Sequence, residues 1–319
     1  MRGTPHPSFP VRDLDPGSSA WPADQLQGLE RPPDRLRIRG ELPLLDRAVA
    51  IVGTRRADED GLAFARDLAA SLARAGCPIV SGGAYGIDAA AHEGALDAEG
   101  ATIAVLASGL ADPYPRAHCR LFDRIAAEGG ALLSELEDDA QPRRALFLHR
   151  NRLIAALAKA VVVVQAPFRS GAMSTAAWAK RLHRPLFVVP SAPWNPRGAG
   201  CLALLRSGAT ICTSARDVLS IPALGAGVPG EMQRNLTQMT DNTVQSAAEE
   251  RRATARGASQ GTDADKVLAA LARAGRPQLP DEIARASGLP AARIQGTLAL
   301  LVLDGRVEPR GGGRYVRSR

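Results

Sequence analysis

The sequence predicts an α/β protein: a Rossmann-like, doubly wound, mostly parallel sheet followed by a small C-terminal winged-helix domain. Three observations carry that prediction. Short β-branched apolar runs alternate with segments of helical periodicity across residues 48–190, with short connections between them. The runs are apolar throughout instead of alternating with polar residues, as in strands covered on both faces. From Asp263 onward, three helical patterns precede two short strands around a glycine turn.

Residues 1–20 are rich in proline and glycine without periodicity and are expected to form a loose arm. In the lead-in over 21–45, "ERPPDRLRIRG" predicts a turn and then a short strand. "AVAIVG" at 48–53 reads as the first buried strand. In the segment after it Leu62, Ala65, Leu68, Ala69 and Leu72 recur at helical spacing, and Gly76 is placed to end that helix. "CPIVSGG" and "IDAAAHEGALDAEG" give the next strand and helix, and "ATIAVLASG" at 101–109 the third strand. "AHCRLFDRIAAEGG", "ALLSE", "LHRNRLIAALA", "AVVVVQA", "STAAWAKRLH" and "PLFVVP" continue the alternation. Residues 221–262 are polar and weakly periodic and read as a flexible linker. The expected division is an arm and lead-in over 1–45, a Rossmann-like domain over 46–220, the linker, and a winged-helix domain over 263–319.

Bulk properties narrow the function. At 319 residues and 45% hydrophobic, the chain suits one large core and one small one. No stretch approaches the roughly 18 apolar residues of a membrane span, and "MRGTPHPSFPVRDLDP" lacks the apolar region of a secretory signal, so a cytoplasmic location is expected. Cys77, Cys119, Cys201 and Cys212 are scattered and read as reduced, buried thiols. The net charge of +7 fits a polyanionic partner. The cations are almost all arginine, the lysines being Lys159, Lys180 and Lys266. Aromatics at 4% are too few for a broad base-stacking sheet.

In such sheets ligands bind beyond the carboxyl ends of the strands, so the loops there hold the candidates. "SGGAYGID" places Ser81, Gly82, Gly83 and Gly86 between a strand and a helix, an arrangement that aims backbone N–H groups at a phosphate. It is neither GxGxxG nor a Walker A loop. The competing reading is a tight turn that lets the helix pack closely, with Asp88 as a cap or a partner for a loop amide. "VGTRR" brings Gly53, Arg55 and Arg56 to the first loop, where an arginine either grips phosphate or pairs with an acid such as Asp58. In "FLHRNRLIAALA", Asn151 is expected to cap a helix; Arg150 and Arg152 diverge around it, one toward the fold and one toward the groove. Phe147 either stacks on a base or fills the core. "FRSGAMSTAAWA" adds Arg169, Ser170 and Gly171 at a helix start. The histidines show no metal-binding spacing, the acids of "SELEDDA" read as a solvated loop, and no cofactor, metal or nucleophile–base pair is expected.

As a set, "AIVGTR", "SGGAYGIDAAAHEGAL", "TIAVLASGLADPYPRAH", "FLHRNRLIAALA", "RSGAMSTAAWA" and "GCLALLRSGA" resemble the DNA-processing proteins of the DprA or Smf family, over about residues 21–220. The C-terminal segment is similar to the winged-helix domain that many members carry. The resemblance implies a non-enzymatic homodimer that binds single-stranded DNA without sequence readout in natural transformation and delivers RecA recombinase onto it. It also implies that Arg55, the loop from Ser81 to Gly86 and the arginines near 150 and 169 form the DNA pocket. The helical domain that some members carry ahead of this pattern is not expected. Two other readings compete. The sheet is shared with nucleotide phosphoribohydrolases, but "RSGAMSTAAWA" has no glutamate where their PGGxGTxxE motif does. A winged-helix regulator would read duplex DNA through "AARIQGTLALLVLDG", which offers base edges only Arg293 and Gln295.

Overall fold

Residues Val49–Val52 are fully apolar because the strand they form is covered on both faces, with Ala50 and Val52 packed in one core cluster and Val49 and Ile51 in another. The computed structural model describes residues 9–225, 263–311 and 313–318. These fall into two compact units, one within 1–233 and one within 234–319.

The first unit is built on nine strands: β1 (Arg12–Leu14), β2 (Leu36–Gly40), β3 (Val49–Val52), β4 (Ile79–Ser81), β5 (Thr102–Val105), β6 (Ala131–Ser134), β7 (Ala160–Val163), β8 (Leu186–Val188) and β9 (Thr210–Ile211). Their order across the sheet is β1-β2-β6-β5-β4-β3-β7-β8-β9. Everything from β6 to β9 is parallel, and β1 and β2 add an antiparallel edge. The helices are α1 (Ala23–Leu26), α2 (Glu59–Arg74), α3 (Ile87–Asp97), α4 (Cys119–Ala127), α5 (Arg144–Leu157), α6 (Gly171–Arg181), α7 (Ala199–Arg206), α8 (Ala215–Leu219) and α9 (Pro222–Gly225). Helices α5 and α6 cover one face through Leu153, Ile154, Ala172 and Ala176, whereas α2 and α3 cover the other through Leu68, Leu72, Ala91 and Ala95.

Helix α2 shows how local sequence fixes an element. Asp58 precedes it in an extended conformation, and its side chain accepts a hydrogen bond from the Gly61 N–H at 2.9 Å. Glu59 and Asp60 occupy the first turn and Arg74 the last, as the helix dipole favours. Just beyond the end, Gly76 takes φ +77°, a left-handed conformation that costs glycine nothing. The buried Ala65, Leu68, Ala69 and Leu72 are the residues whose spacing predicts the helix.

One expectation is corrected here. Residues 12–14 are not part of a loose arm: β1 pairs with β2, Leu14 is buried, and Arg12 donates to the Gly40 carbonyl at 3.1 Å. The sheet therefore begins well before residue 46. At the other end, α7, β9 and α8 fill the part of the expected 46–220 domain that lies past the last apolar run. The pattern fails there because β9 has two residues and both are exposed. The linker over 221–262 lies, apart from α9, outside the described residues.

The second unit contains α10 (Asp263–Ala274), α11 (Pro280–Ser287), α12 (Ala291–Leu303) and an antiparallel hairpin of β10 (Val307–Arg310) and β11 (Arg314–Arg317). Val267, Leu271, Ile283, Ile294, Leu298 and Val307 form its core. Arg293, the expected base-edge donor, is paired with Asp263 at 2.8 Å.

Candidate functional site

The chain lays down β4, β5 and β6 successively on one side of β3 and then crosses to place β7 on the other side. The β3–β7 boundary is therefore the topological switch point, where the two following loops diverge and leave a crevice at the carboxyl ends. A cavity of about 300 Å³ lies there, lined by Gly53, Arg55, Phe147, Asn151, Arg169 and Ser170 among others.

The glycine loop after β4 does not present a free anion nest. The Asp88 carboxylate already occupies that position, accepting from the Gly82 N–H at 3.1 Å and the Ala84 N–H at 3.4 Å. The Ser81 hydroxyl is buried and donates to the Ile51 carbonyl at 2.6 Å. The glycines serve close packing. A Cβ at Gly82 would meet Asp88 at 2.7 Å, and one at Gly83 would meet the Phe122 ring at 2.8 Å. Gly86 has φ +79° and lies against the backbone of Thr54 and Arg55, so its lack of a side chain lets the β3 loop and α3 touch. Ser81 and Gly82, expected to meet phosphate, are thus hydrogen-bonded within the fold, and Gly83 packs against Phe122. A stretch that looks like a phosphate cradle carries its own carboxylate.

Arg150 and Arg152 are likewise engaged within the fold, Arg150 while also lining the cavity. Both sit within α5 and are buried. Arg150 donates to the Gly82 carbonyl at 2.7 Å and to the Val105 carbonyl, clamping the loops after β4 and β5. Burial pulls its guanidinium down to about 10, with the charge of Asp88 opposing. Burial likewise pushes the Asp88 carboxyl above the usual carboxylate range, against the pull of Arg150 and the two amides. Arg152 turns to Glu135, and His149 approaches the same carboxylate at 3.2 Å. Asn151 is inside the helix and not at its cap; its Nδ2 donates to the Gly171 carbonyl at 3.1 Å, tying α5 to the start of α6. The expected solvated acids are partners too, since Glu137 and Asp138 pair with Arg37 of β2.

What remains open to a ligand is narrower than the sequence suggests. Arg55 is exposed and lies over the Phe147 ring, 4.8 Å from its centroid. Asp58, its suspected partner, is engaged elsewhere: it caps α2 and accepts from Gln165 Nε2 at 2.8 Å, bonds that hold its carboxyl below the usual carboxylate range. Arg169 is exposed beside the N-terminus of α6. Neither arginine pairs with a described carboxylate. At the same helix end the Ser170 Oγ is buried and has no hydrogen-bond partner. Two guanidinium groups, an aromatic ring and an unpartnered hydroxyl at a helix N-terminus form a site for an anion that carries an aromatic group. Arg56, read beside Arg55 in "GTRR", also lines the cavity, as does Leu148, which carries no signal in the sequence.

His92 is buried with Nδ1 2.7 Å from the Thr102 hydroxyl, and burial pulls its pKa down to about 3. Among the described residues no group of three or more His, Cys, Asp or Glu side chains is placed to hold a metal ion, and no helix is long and apolar enough to cross a membrane. Cys77, Cys201 and Cys212 are buried thiols, whereas Cys119 is only partly covered.

An α/β sheet with unpaired arginines at its switch point, joined to a winged-helix unit, is the class that fold and site define. The chain belongs to the family described as DNA recombination-mediator protein A, whose model matches residues 14–222, and a DprA winged helix domain model matches residues 251–313. This is the DprA or Smf family that the motifs resemble. The chain is 40% identical over 314 residues to a putative DNA processing protein DprA of Mycobacterium tuberculosis, covering 94% of this chain and 76% of that one. Its fold matches DNA processing protein A of Streptococcus pneumoniae with a TM-score of 0.61 at 36% identity, over 67% of this chain and 75% of that one. It also matches DNA processing protein A of Helicobacter pylori, whose structure was described for its single-stranded DNA binding mode. That match has a TM-score of 0.59 at 36% identity, over 66% of this chain and 94% of the other.

Proposed function

We propose that the chain binds single-stranded DNA in the switch-point groove without reading its sequence, and that it delivers RecA recombinase onto the strand during DNA uptake, as a homodimer that breaks no bond in the DNA. One observation carries the DNA-binding part: Arg55 and Arg169, both exposed and without a carboxylate partner, flank Phe147 in a groove at the carboxyl rim. Guanidinium groups take phosphates bidentately, and a ring accepts any base face, so the combination favours a flexible polyanion over a particular sequence. The Helicobacter pylori relative's description as a single-stranded DNA binder supports the same choice. Binding without hydrolysis is favoured because the one carboxylate that lines the groove, Asp88, is committed to two backbone amides. Delivery of RecA and dimer formation enter the reading from the family resemblance.

The test is a gel shift comparing single-stranded and duplex oligonucleotides for the parent protein and Arg55→Ala. The parent should prefer the single strand, and its affinity should fall with salt at a slope of about −0.7 per phosphate neutralised. Arg55→Ala should weaken binding to every sequence alike. Equal affinity for duplex and single strand, or an Arg55→Ala protein that binds as the parent does, would overturn the reading. Light scattering and a RecA filament-assembly assay check the dimer and the hand-over.

A further inference from the structure

Among the described residues four aromatic rings stand exposed: Tyr114 at 40%, Tyr85 at 46%, Phe168 at 65% and Trp194 at 85%. Rings of this size usually find cover. All four occupy one kind of position. Tyr114 is in the loop that follows β5, Tyr85 in that after β4, Phe168 in that after β7 and Trp194 in that after β8. Because these strands are parallel and stand in the order β5-β4-β3-β7-β8, the rings mark successive places along one rim. The one strand between them, β3, is followed by Arg55, and Phe168 is followed directly by Arg169.

The supports are built in. Tyr85 packs edge-on against His118, with ring centroids 4.6 Å apart, and Tyr114 packs edge-on against Phe147 at 5.9 Å. The loop of Trp194 is tied to the loop after β3: Arg197 Nε donates to the Arg56 carbonyl at 3.0 Å and Asn195 Nδ2 to Asp58 at 3.4 Å. The chain before Phe168 is held by the start of α7, whose Gly200 N–H donates to the Ala166 carbonyl at 2.8 Å. A second cavity, of about 550 Å³, is lined by both Arg55 and Tyr85. Arg55 thus borders two hollows.

We infer that the carboxyl rim is a stacking track for the bases of a single strand, with Tyr114 and Tyr85 on one side of the arginine site and Phe168 and Trp194 on the other. The inference rests on the proposed DNA binding and adds its footprint and its outlying contacts. Four strand intervals of about 4.8 Å span roughly 19 Å. At about 3.4 Å per stacked nucleotide that corresponds to some six nucleotides, well beyond what the switch-point cavity alone would hold. The unpaired arginines between the rings favour a polyanion with flat bases over an apolar protein surface, which would leave those charges without partners.

The test uses the full chain and a length series of oligothymidylates, read by tryptophan fluorescence and by competition. The chain has three tryptophans, and Trp21 and Trp178 pack against the core, so Trp194 dominates a quenching signal. Affinity should rise with length up to about six nucleotides and then level off. Trp194→Ala and Phe168→Ala should each weaken the longer strands roughly tenfold, because stacking is lost. Trp194→Phe should retain affinity and lose the quenching. An oligomer of abasic sugar-phosphate should bind parent and both alanine variants alike. If Arg55→Ala loses affinity while the alanine variants bind every length as the parent does, the track is overturned and the groove reading stands. Equal weakening on the abasic oligomer would also overturn the track. A parent protein indifferent to all oligothymidylates would overturn both.

Discussion

The arginines of β2, with Arg35 just before it, and those of the switch-point groove share a charge and little else. Arg35, Arg37 and Arg39 all meet carboxylates: Asp13 and Glu137 for Arg35, Asp13, Glu137 and Asp138 for Arg37, and Asp123 for Arg39. Arg55 and Arg169 meet none among the described residues. The first group ties β2 and the residue before it to β1, to α4 and to the acid run after β6. The second leaves positive charge uncompensated where the fold opens. Net charge therefore says little about where a polyanion binds; what matters is which cations the fold has left without partners.

Breaking each class of arginine should give a different signature. The largest effect is expected from the fully internal case. Arg150→Ala removes the donor to Gly82 and Val105 and takes away the nearer of the two cations that act on buried Asp88, so stability should fall by about 3–5 kcal/mol, read by urea unfolding. A variant of parental stability would show that the clamp between the two loops is unimportant. Next, Arg55→Ala and Arg169→Ala should each lower single-strand affinity by about 1.5–3 kcal/mol, roughly ten- to a hundred-fold, with the unfolding midpoint unchanged. An Arg55→Ala protein that unfolds early would reassign that arginine to the fold.

A pH titration sharpens the comparison from the interior. His92 is buried neutral, with its pKa pulled to about 3 against about 6.5 in the unfolded chain. Above pH 6.5 neither state binds the proton and the contribution is fully present. Between about 6.5 and 3 the unfolded chain is protonated and the folded one is not, so stability falls on acidification, by up to about 1.4 kcal/mol per pH unit. His92→Asn should flatten that slope; an unchanged slope would place the acid sensitivity elsewhere. The smallest effect is expected at the edge. Arg37→Ala should change single-strand affinity by less than about twofold, because its charge is already matched by three carboxylates. A loss comparable to that of Arg55→Ala would erase the distinction between the two groups.

Much of the architecture is legible in the amino-acid order. The apolar runs of β3, β5 and β7 announce a parallel sheet because strands covered on both faces cannot alternate. The periodic leucines and alanines of α2, with Asp58 before and Gly76 after, define a helix through local geometry alone. The motifs around Arg55 and Arg169 point to the groove, since loops at the carboxyl ends of parallel strands converge on one rim. The short edge elements are not legible. β1 and β9 have three and two residues, too few to display a period, and they are strands only because a neighbour offers them hydrogen bonds.

The sequence by itself determined the layered α/β architecture, the second small domain, the family and the neighbourhood of the site, because each depends on periodicity or on motifs that are local in the chain. Tertiary structure alone decided which polar groups stay available. Asp88 fills the cradle of the glycine loop, Arg150 clamps that loop to the one after β5, Arg152 closes on Glu135, and Arg55 and Arg169 are left over. A charge acts on a ligand only if nothing in the folded chain has neutralised it first, and the partners that would do so are brought near from distant parts of the sequence.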